Sequence, residues 1–100
     1  MQEQELRDES AISLRIKKQI DYYFGEANYY TDSYLRGQEN QEGWINLKIV
    51  LTFYKMVDLS KELNVNSESS EFAFLATIAC MNSLVVEFKL EYDNYYVRKS

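Results

Sequence analysis

One hundred residues, 46% of them apolar, are enough for one small domain with a single core. A net charge of −5, from 11 Lys plus Arg against 16 Asp plus Glu, excludes the broad basic surface of a protein that tracks duplex phosphates. With no His and a single Cys, Cys80, the chain has no internal disulfide and lacks both a zinc-ligand set and the usual proton-transfer residue, so neither a cofactor nor an enzymatic activity is expected. No apolar run approaches the roughly 20 residues that span a bilayer. Met1-Gln2-Glu3-Gln4-Glu5 also lacks the charged-then-apolar layout of a signal peptide, so a soluble, intracellular chain is expected.

Residues 1–11 read as an acidic tail, the first ten as a tail or a frayed helix start: those ten hold four acids and one base, so the acidity is partly terminal. From Ile12 the pattern turns helical, because Ile12, Ile16, Ile20 and Phe24 recur every four residues and form one stripe. At about 100° per residue Tyr23 falls inside that stripe, while Gln19 and Tyr22 sit on its edge, where a half-buried side chain can face a ligand. Gly25 predicts the end of this helix, and Asn28 to Gln38 a short second one capped by Thr31 or Asn28.

Glu42-Gly43 marks a turn and Trp44-Ile45-Asn46 a short strand, leading into a helix predicted over Leu47 to Leu59. Leu47, Val50, Leu51, Tyr54 and Val57 cover one face of that helix and Ile49, Phe53 and Met56 another, which predicts a buried central helix. Residues 61–70 are polar and Ser/Asn-rich, a loop signal. Phe72 to Met81 reads as the last helix, with Ser69 or Ser70 as its cap and Cys80 as a small core residue. Leu84 to Leu90 and Tyr95 to Arg98 are β-branched and aromatic runs separated by Glu91-Tyr92-Asp93-Asn94, a hairpin pattern. The expected fold is α+β, with residues 12–100 forming one domain.

The chemistry is concentrated between Gln19 and Leu35. Tyr22, Tyr23, Tyr34 and the later Phe53 offer faces for base stacking, Gln19 an amide for a base edge, and Asp32 a carboxylate that accepts from sugar hydroxyls. These are the parts needed to hold unstacked RNA. The plainer alternative is that the aromatics are core and that Asp32 only stabilises a helix start. Arg15, one turn before Gln19, is a weak phosphate candidate whose plainer and favoured reading is a solvated face.

The run Gln19-Ile20-Asp21-Tyr22-Tyr23-Phe24-Gly25, with Asn28, Asp32, Tyr34 and Leu35 after it, resembles the La motif. Gly43-Trp44-Ile45, Leu47 and Phe53-Tyr54-Lys55-Met56 continue the likeness, which covers most of residues 12–100. The resemblance implies a winged-helix domain, helices plus a small antiparallel sheet with a C-terminal hairpin as the wing. It implies capture of the free 3′ end of uridine-rich RNA, with Gln19 on a uracil edge, Asp32 on the hydroxyls of the terminal ribose, and Tyr22, Tyr23, Tyr34 and Phe53 around the bases. It further implies a nuclear ribonucleoprotein setting, a neighbouring RNA-recognition motif and a monomeric domain. The Phe53-Tyr54-Lys55-Met56 and Leu84-Val85-Val86-Glu87 runs look most like the branch that stays on telomerase RNA or 7SK RNA.

The chain departs from the family pattern in places. Tyr29-Tyr30-Thr31 stands where Leu-Pro-Arg is common, Tyr54 where many La proteins have Asn, and Tyr34 where Phe is commoner; the loop over residues 61–70 looks like an insertion. Two rival readings stay open. One is a winged-helix protein-interaction domain with a vestigial RNA pocket, which suits the acidic surface. The other is a duplex-DNA reader inserting Leu47 to Leu59 into the major groove, although only Lys48 and Lys55 are basic there.

Overall fold

In the computed structural model, which describes residues 9–100, the Ile12, Ile16, Ile20 and Phe24 stripe forms the buried face of helix α1 (Glu9–Phe24). The helix starts three residues before the first apolar position of the stripe, so residues 9–11 are its first turn and not tail, while the tail reading of residues 1–8 lies outside the described residues. Gly25 ends α1 for a steric reason. A Cβ there would lie 2.8 Å from the Asp21 carbonyl oxygen.

The short second helix is two pieces. A 3-10 turn (Tyr29–Thr31) precedes α2 (Ser33–Gly37), and the cap of α2 is Asp32, not Thr31 or Asn28. An Asp at this position accepts from Leu35 N at 3.0 Å, so it satisfies an amide that neither expected cap reaches. Strand β1 (Ile45–Asn46) is set by Asn40, whose Oδ1 accepts from the Glu42 and Trp44 amides at 2.9 Å each, while Gly43 turns at φ 90°.

The continuous helix expected over Leu47 to Leu59 is also two helices, α3 (Leu47–Val50) and α4 (Tyr54–Glu62). After Val50 the backbone tightens to i→i+3 bonds, Thr52 N donating to the Ile49 carbonyl at 3.0 Å and Phe53 N to the Val50 carbonyl at 3.1 Å, which ends α3. Phe53 is extended, at φ −63° and ψ 146°. The expected all-round burial fails with the break: Tyr54 is 75% exposed and Ile49 is exposed, whereas Val50 and Met56 are fully buried. This also removes the long helix that a duplex reader would insert.

Helix α4 takes in Lys61 and Glu62 and ends in a Schellman motif: Val65 N donates to Ser60 O at 2.8 Å and Asn64 N to Lys61 O at 3.0 Å, with Asn64 at φ 60°. Val65 is buried at this turn, so the polar segment returns to the core before α5 (Ser70–Met81). Ser69 caps α5 through Phe72 N at 3.1 Å, one of the two caps expected. The C-terminal hairpin is β2 (Val86–Glu91) and β3 (Asn94–Lys99), turning at Tyr92-Asp93 with Tyr92 at φ 57°.

The sheet has strand order β1-β3-β2 and is antiparallel throughout, with Val97 facing both Ile45 and Phe88. Ile16, Ile20, Phe24, Leu35, Ile45, Val50, Met56, Phe72, Leu75 and Val97 form one core between the helices and this sheet. Burial pushes the Cys80 thiol up to about 12, with nearby Asp21 adding to the shift. Among the described residues the architecture is therefore five helices and a three-stranded sheet, an α+β winged helix with the hairpin as its wing.

Candidate functional site

The break between α3 and α4 builds the site. Because Phe53 is extended rather than helical, its buried ring stands edge-on to Tyr23 of α1 at 5.2 Å and to Tyr34 of α2 at 5.4 Å between centroids. Three elements thus meet on one aromatic floor. Edge-to-face pairs of this kind contribute about 0.5–1.5 kcal/mol each beyond area burial, enough to hold the floor in shape.

The result is an open cavity of about 410 Å³ lined by Tyr22, Tyr23, Asn28, Asp32, Tyr34, Thr52, Phe53, Tyr54 and Lys55. Of the sequence candidates, Tyr22, Tyr23, Asp32, Tyr34 and Phe53 converge here. Tyr23 and Phe53 are buried, while Tyr22 and Tyr34 are 45% and 64% exposed and present ring surface to a ligand. The core reading therefore describes Tyr23 and Phe53 but not Tyr22 and Tyr34.

Asp32 is held at the rim by two bonds. One carboxylate oxygen caps α2, and the other accepts from Asn28 Nδ2 at 2.9 Å; the same Nδ2 also donates to the Tyr23 carbonyl at 2.9 Å. Asn28 thereby ties the end of α1 to the carboxylate. The helix-start role of Asp32 is real, yet a carboxylate has about four lone-pair sites, so acceptor capacity remains for a ligand.

Gln19 stands apart from the lining. Its Nε2 is buried without a hydrogen-bond partner, and its amide lies near the Tyr23 hydroxyl. Burial pushes that phenol up to about 12; the Lys55 and Met56 backbone amides oppose the shift, the Asp32 charge adds to it, and Gln19 opposes it weakly. Tyr23 is thus a neutral hydroxyl at physiological pH, a donor and acceptor rather than a charge. Arg15 does not approach the cavity and pairs with Glu62.

Thr52, Tyr54 and Lys55 line the cavity without having been singled out as site residues in the sequence. Lys55 Nζ lies 4.8 Å from the Tyr22 ring centroid, so the cavity carries its own cation beside a stacking face. The available signal was that Lys48 and Lys55 are the bases of that region. On the wing, Arg98 and Lys89 flank the Trp44 ring at 4.3 and 4.4 Å, and they pair with Glu87 and Glu91 at 2.8 and 3.2 Å. Those acids offset Arg98 and Lys89.

The La domain family model matches residues 16–71, which contain the whole lining of the cavity. The La protein homolog of Drosophila melanogaster is 41% identical over 51 residues, covering 49% of this chain and 13% of that protein. La-related protein 1C of Arabidopsis thaliana is 40% identical over 52 residues, covering 52% of this chain and 10% of its own length. La-related protein 7 of Mus musculus is 33% identical over 78 residues, covering 76% of this chain and 12% of its own length. The chain therefore corresponds to a small part of each of these relatives, and the match spans the winged-helix elements that form the cavity. The chain belongs to the La domain family.

Proposed function

We propose that this RNA-binding La domain captures the free 3′ end of uridine-rich RNA, shielding it from exonucleases and helping to retain the transcript in a nuclear ribonucleoprotein. The observation that carries the reading is the Asp32 carboxylate fixed by Asn28 and the α2 amide at the rim of a cavity walled by Tyr22, Tyr23, Tyr34 and Phe53. A fixed carboxylate accepts from a free 2′-OH and 3′-OH and repels a 3′-phosphate, so one group selects both RNA over DNA and an end over an interior site. Tyr22 and Tyr34 supply exposed faces, each base stack contributing roughly 1–3 kcal/mol.

Gln19 supports the same reading. Its buried Nε2 interacts only weakly with the Tyr23 oxygen, and a uracil carbonyl reaching past Tyr23 offers it a better acceptor. Acting alone as a monomer, a domain of net charge −5 has modest phosphate affinity, so a neighbouring RNA-recognition motif contributes the remainder. The Phe53-Tyr54-Lys55-Met56 and Leu84-Val85-Val86-Glu87 runs support the branch that stays on telomerase RNA or 7SK RNA.

The test is a fluorescence titration of the domain with short RNAs ending in UUU-OH, UUU-phosphate or AAA-OH, and with the DNA analogue. Preference for UUU-OH is the expected result. Equal weak binding to all of them favours the second reading, a winged-helix protein-interaction domain with a vestigial pocket, which the acidic net charge suits.

A further inference from the structure

A second group of aromatic and basic side chains lies beside the cavity and takes no part in it. Tyr29 and Tyr30 of the 3-10 turn meet edge-on at 5.1 Å, and Lys99 at the end of β3 places Nζ 5.7 Å from both ring centroids. Arg36 of α2 covers the Tyr29 ring at 4.5 Å. The two tyrosines differ in role. Tyr29 is a half-buried pillar, stacked on core Phe24 at 6.3 Å and donating its hydroxyl to Glu39 at 2.5 Å, whereas Tyr30 is 62% exposed.

The charges favour an anionic partner. Glu39 is the acid next to these rings, and it is occupied by Arg36 at 3.2 Å and by the Tyr29 hydroxyl. Among the described residues Lys99 has no carboxylate partner, in contrast to Lys89 and Arg98 on the same hairpin. An exposed aromatic face beside an unpaired ammonium is the combination that holds a base and its phosphate. Position supplies the rest. Tyr30 is two residues from Asn28 and two from Asp32, so its Cα lies within about 7 Å of the Cα of either lining residue.

We propose that Tyr30 and Lys99 form a second RNA contact, which holds the nucleotides immediately preceding the captured 3′ end. The inference rests on the reading of Asp32 as the acceptor for the terminal ribose. If the terminal ribose sits at Asp32, the chain leaves the cavity only in the 5′ direction, and the rim segment from Asn28 to Asp32 is a boundary it can cross. Tyr30 then stacks on a preceding base while Lys99 neutralises a phosphate next to it. The patch lengthens the footprint of the domain without reading sequence, since every base has a stacking face.

The experiment compares the UUU-OH trimer with its UUU-phosphate counterpart and with a roughly nine-nucleotide RNA of the same free 3′ end, a length within the usual footprint of single-strand binders. Binding to the wild-type chain, Tyr30→Ala, Tyr30→Phe, Lys99→Ala and Asp32→Asn is followed by fluorescence anisotropy. Tyr30→Ala and Lys99→Ala are expected to weaken the longer RNA about five- to tenfold and leave the trimer unchanged, with Tyr30→Phe behaving as wild type. Lys99→Ala also lowers the slope of log affinity against log salt by about 0.7, the share of one phosphate contact on a single strand. If both alanine variants bind the longer RNA as wild type does while Asp32→Asn loses its end preference, the second contact is refuted and the cavity reading stands. If wild type shows no preference for a free 3′ end, both readings fall.

Discussion

Asp32→Asn separates the structural role of this residue from its proposed recognition role. The substitution removes one charge and keeps one carbonyl oxygen. That oxygen can still accept from Leu35 N, now at 3.0 Å, and Asn caps helices as well as Asp does, so the start of α2 survives. The second oxygen becomes an amide facing Asn28 Nδ2, which lies 2.9 Å from Asp32 Oδ2. Asn28 cannot flip without losing its donation to the Tyr23 carbonyl, also at 2.9 Å. One hydrogen bond is therefore lost, at a cost of about 1 kcal/mol, which lowers the melting temperature of a domain of this size by about 4–8 °C. The binding effect is larger in kind. A unit negative charge about 4 Å from Asp32 is repelled by about 4 kcal/mol at an effective dielectric of about 20, and solvent at the open rim and salt reduce this figure. Even a third of it, about 1.4 kcal/mol, amounts to a tenfold preference for a 3′-hydroxyl over a 3′-phosphate end. Anisotropy titrations of wild type and Asp32→Asn with UUU-OH and UUU-phosphate read the preference as a ratio within each protein, so any loss of stability cancels. The preference should collapse toward unity in the variant. A folded Asp32→Asn protein that keeps the wild-type preference refutes the argument that this carboxylate selects the end.

Gly25→Ala should lower stability by about 1–3 kcal/mol in thermal or urea melts, because its Cβ meets backbone, the Asp21 oxygen at 2.8 Å, rather than a yielding side chain; an unchanged melt contradicts the steric account of how α1 ends. Met56→Ala should cost about 2–5 kcal/mol and Tyr54→Ala less than about 0.5 kcal/mol, since Met56 is fully buried and Tyr54 is 75% exposed. Equal losses at the two positions restore the continuous helix and refute the break at Phe53. Stability should also fall on the alkaline side. In the folded protein the Cys80 thiol is raised from 9.0 and the Tyr23 phenol from 10.0, both to about 12, so the unfolded chain releases these protons first. The contribution is fully present below about pH 9 and is lost as pH rises through about 12, on the order of 2 to 4 kcal/mol for each group. Urea midpoints followed from neutral pH to about pH 11 check this, a flat profile refutes it, and Cys80→Ala should remove the thiol's share.

Local patterns were legible where one physical rule acted alone. The stripe of Ile12, Ile16, Ile20 and Phe24 has a single way to be buried, and it forms the inner face of α1. The hairpin turn between Glu91 and Asn94 and the Ser69 cap follow from short-range hydrogen bonding and are found where the residue types place them. The continuous helix over Leu47 to Leu59 failed because apolar spacing continues across a break that no Pro or Gly marks. What ends α3 is a tightened backbone turn at Thr52 and the extended backbone of Phe53, which the periodicity of apolar residues does not register. The cap of α2 was misplaced for a related reason: Asn28 was read as a local cap, whereas its amide bridges α1 and Asp32.

The sequence by itself determined α1, the last helix and the hairpin, the α+β class and the residue types of the site, because a run such as Gln19 to Leu35 carries its aromatics, amide and carboxylate wherever it folds. Only the tertiary structure decided which of them share a wall. Tyr22 and Tyr23 on α1, Tyr34 on α2 and Phe53 between α3 and α4 meet because Phe53 leaves the helical path and turns its ring onto the first two helices. Lys55 enters the same wall and Gln19 stays behind it. Burial and contact between segments distant in sequence are properties of packing, and no local spacing rule contains them.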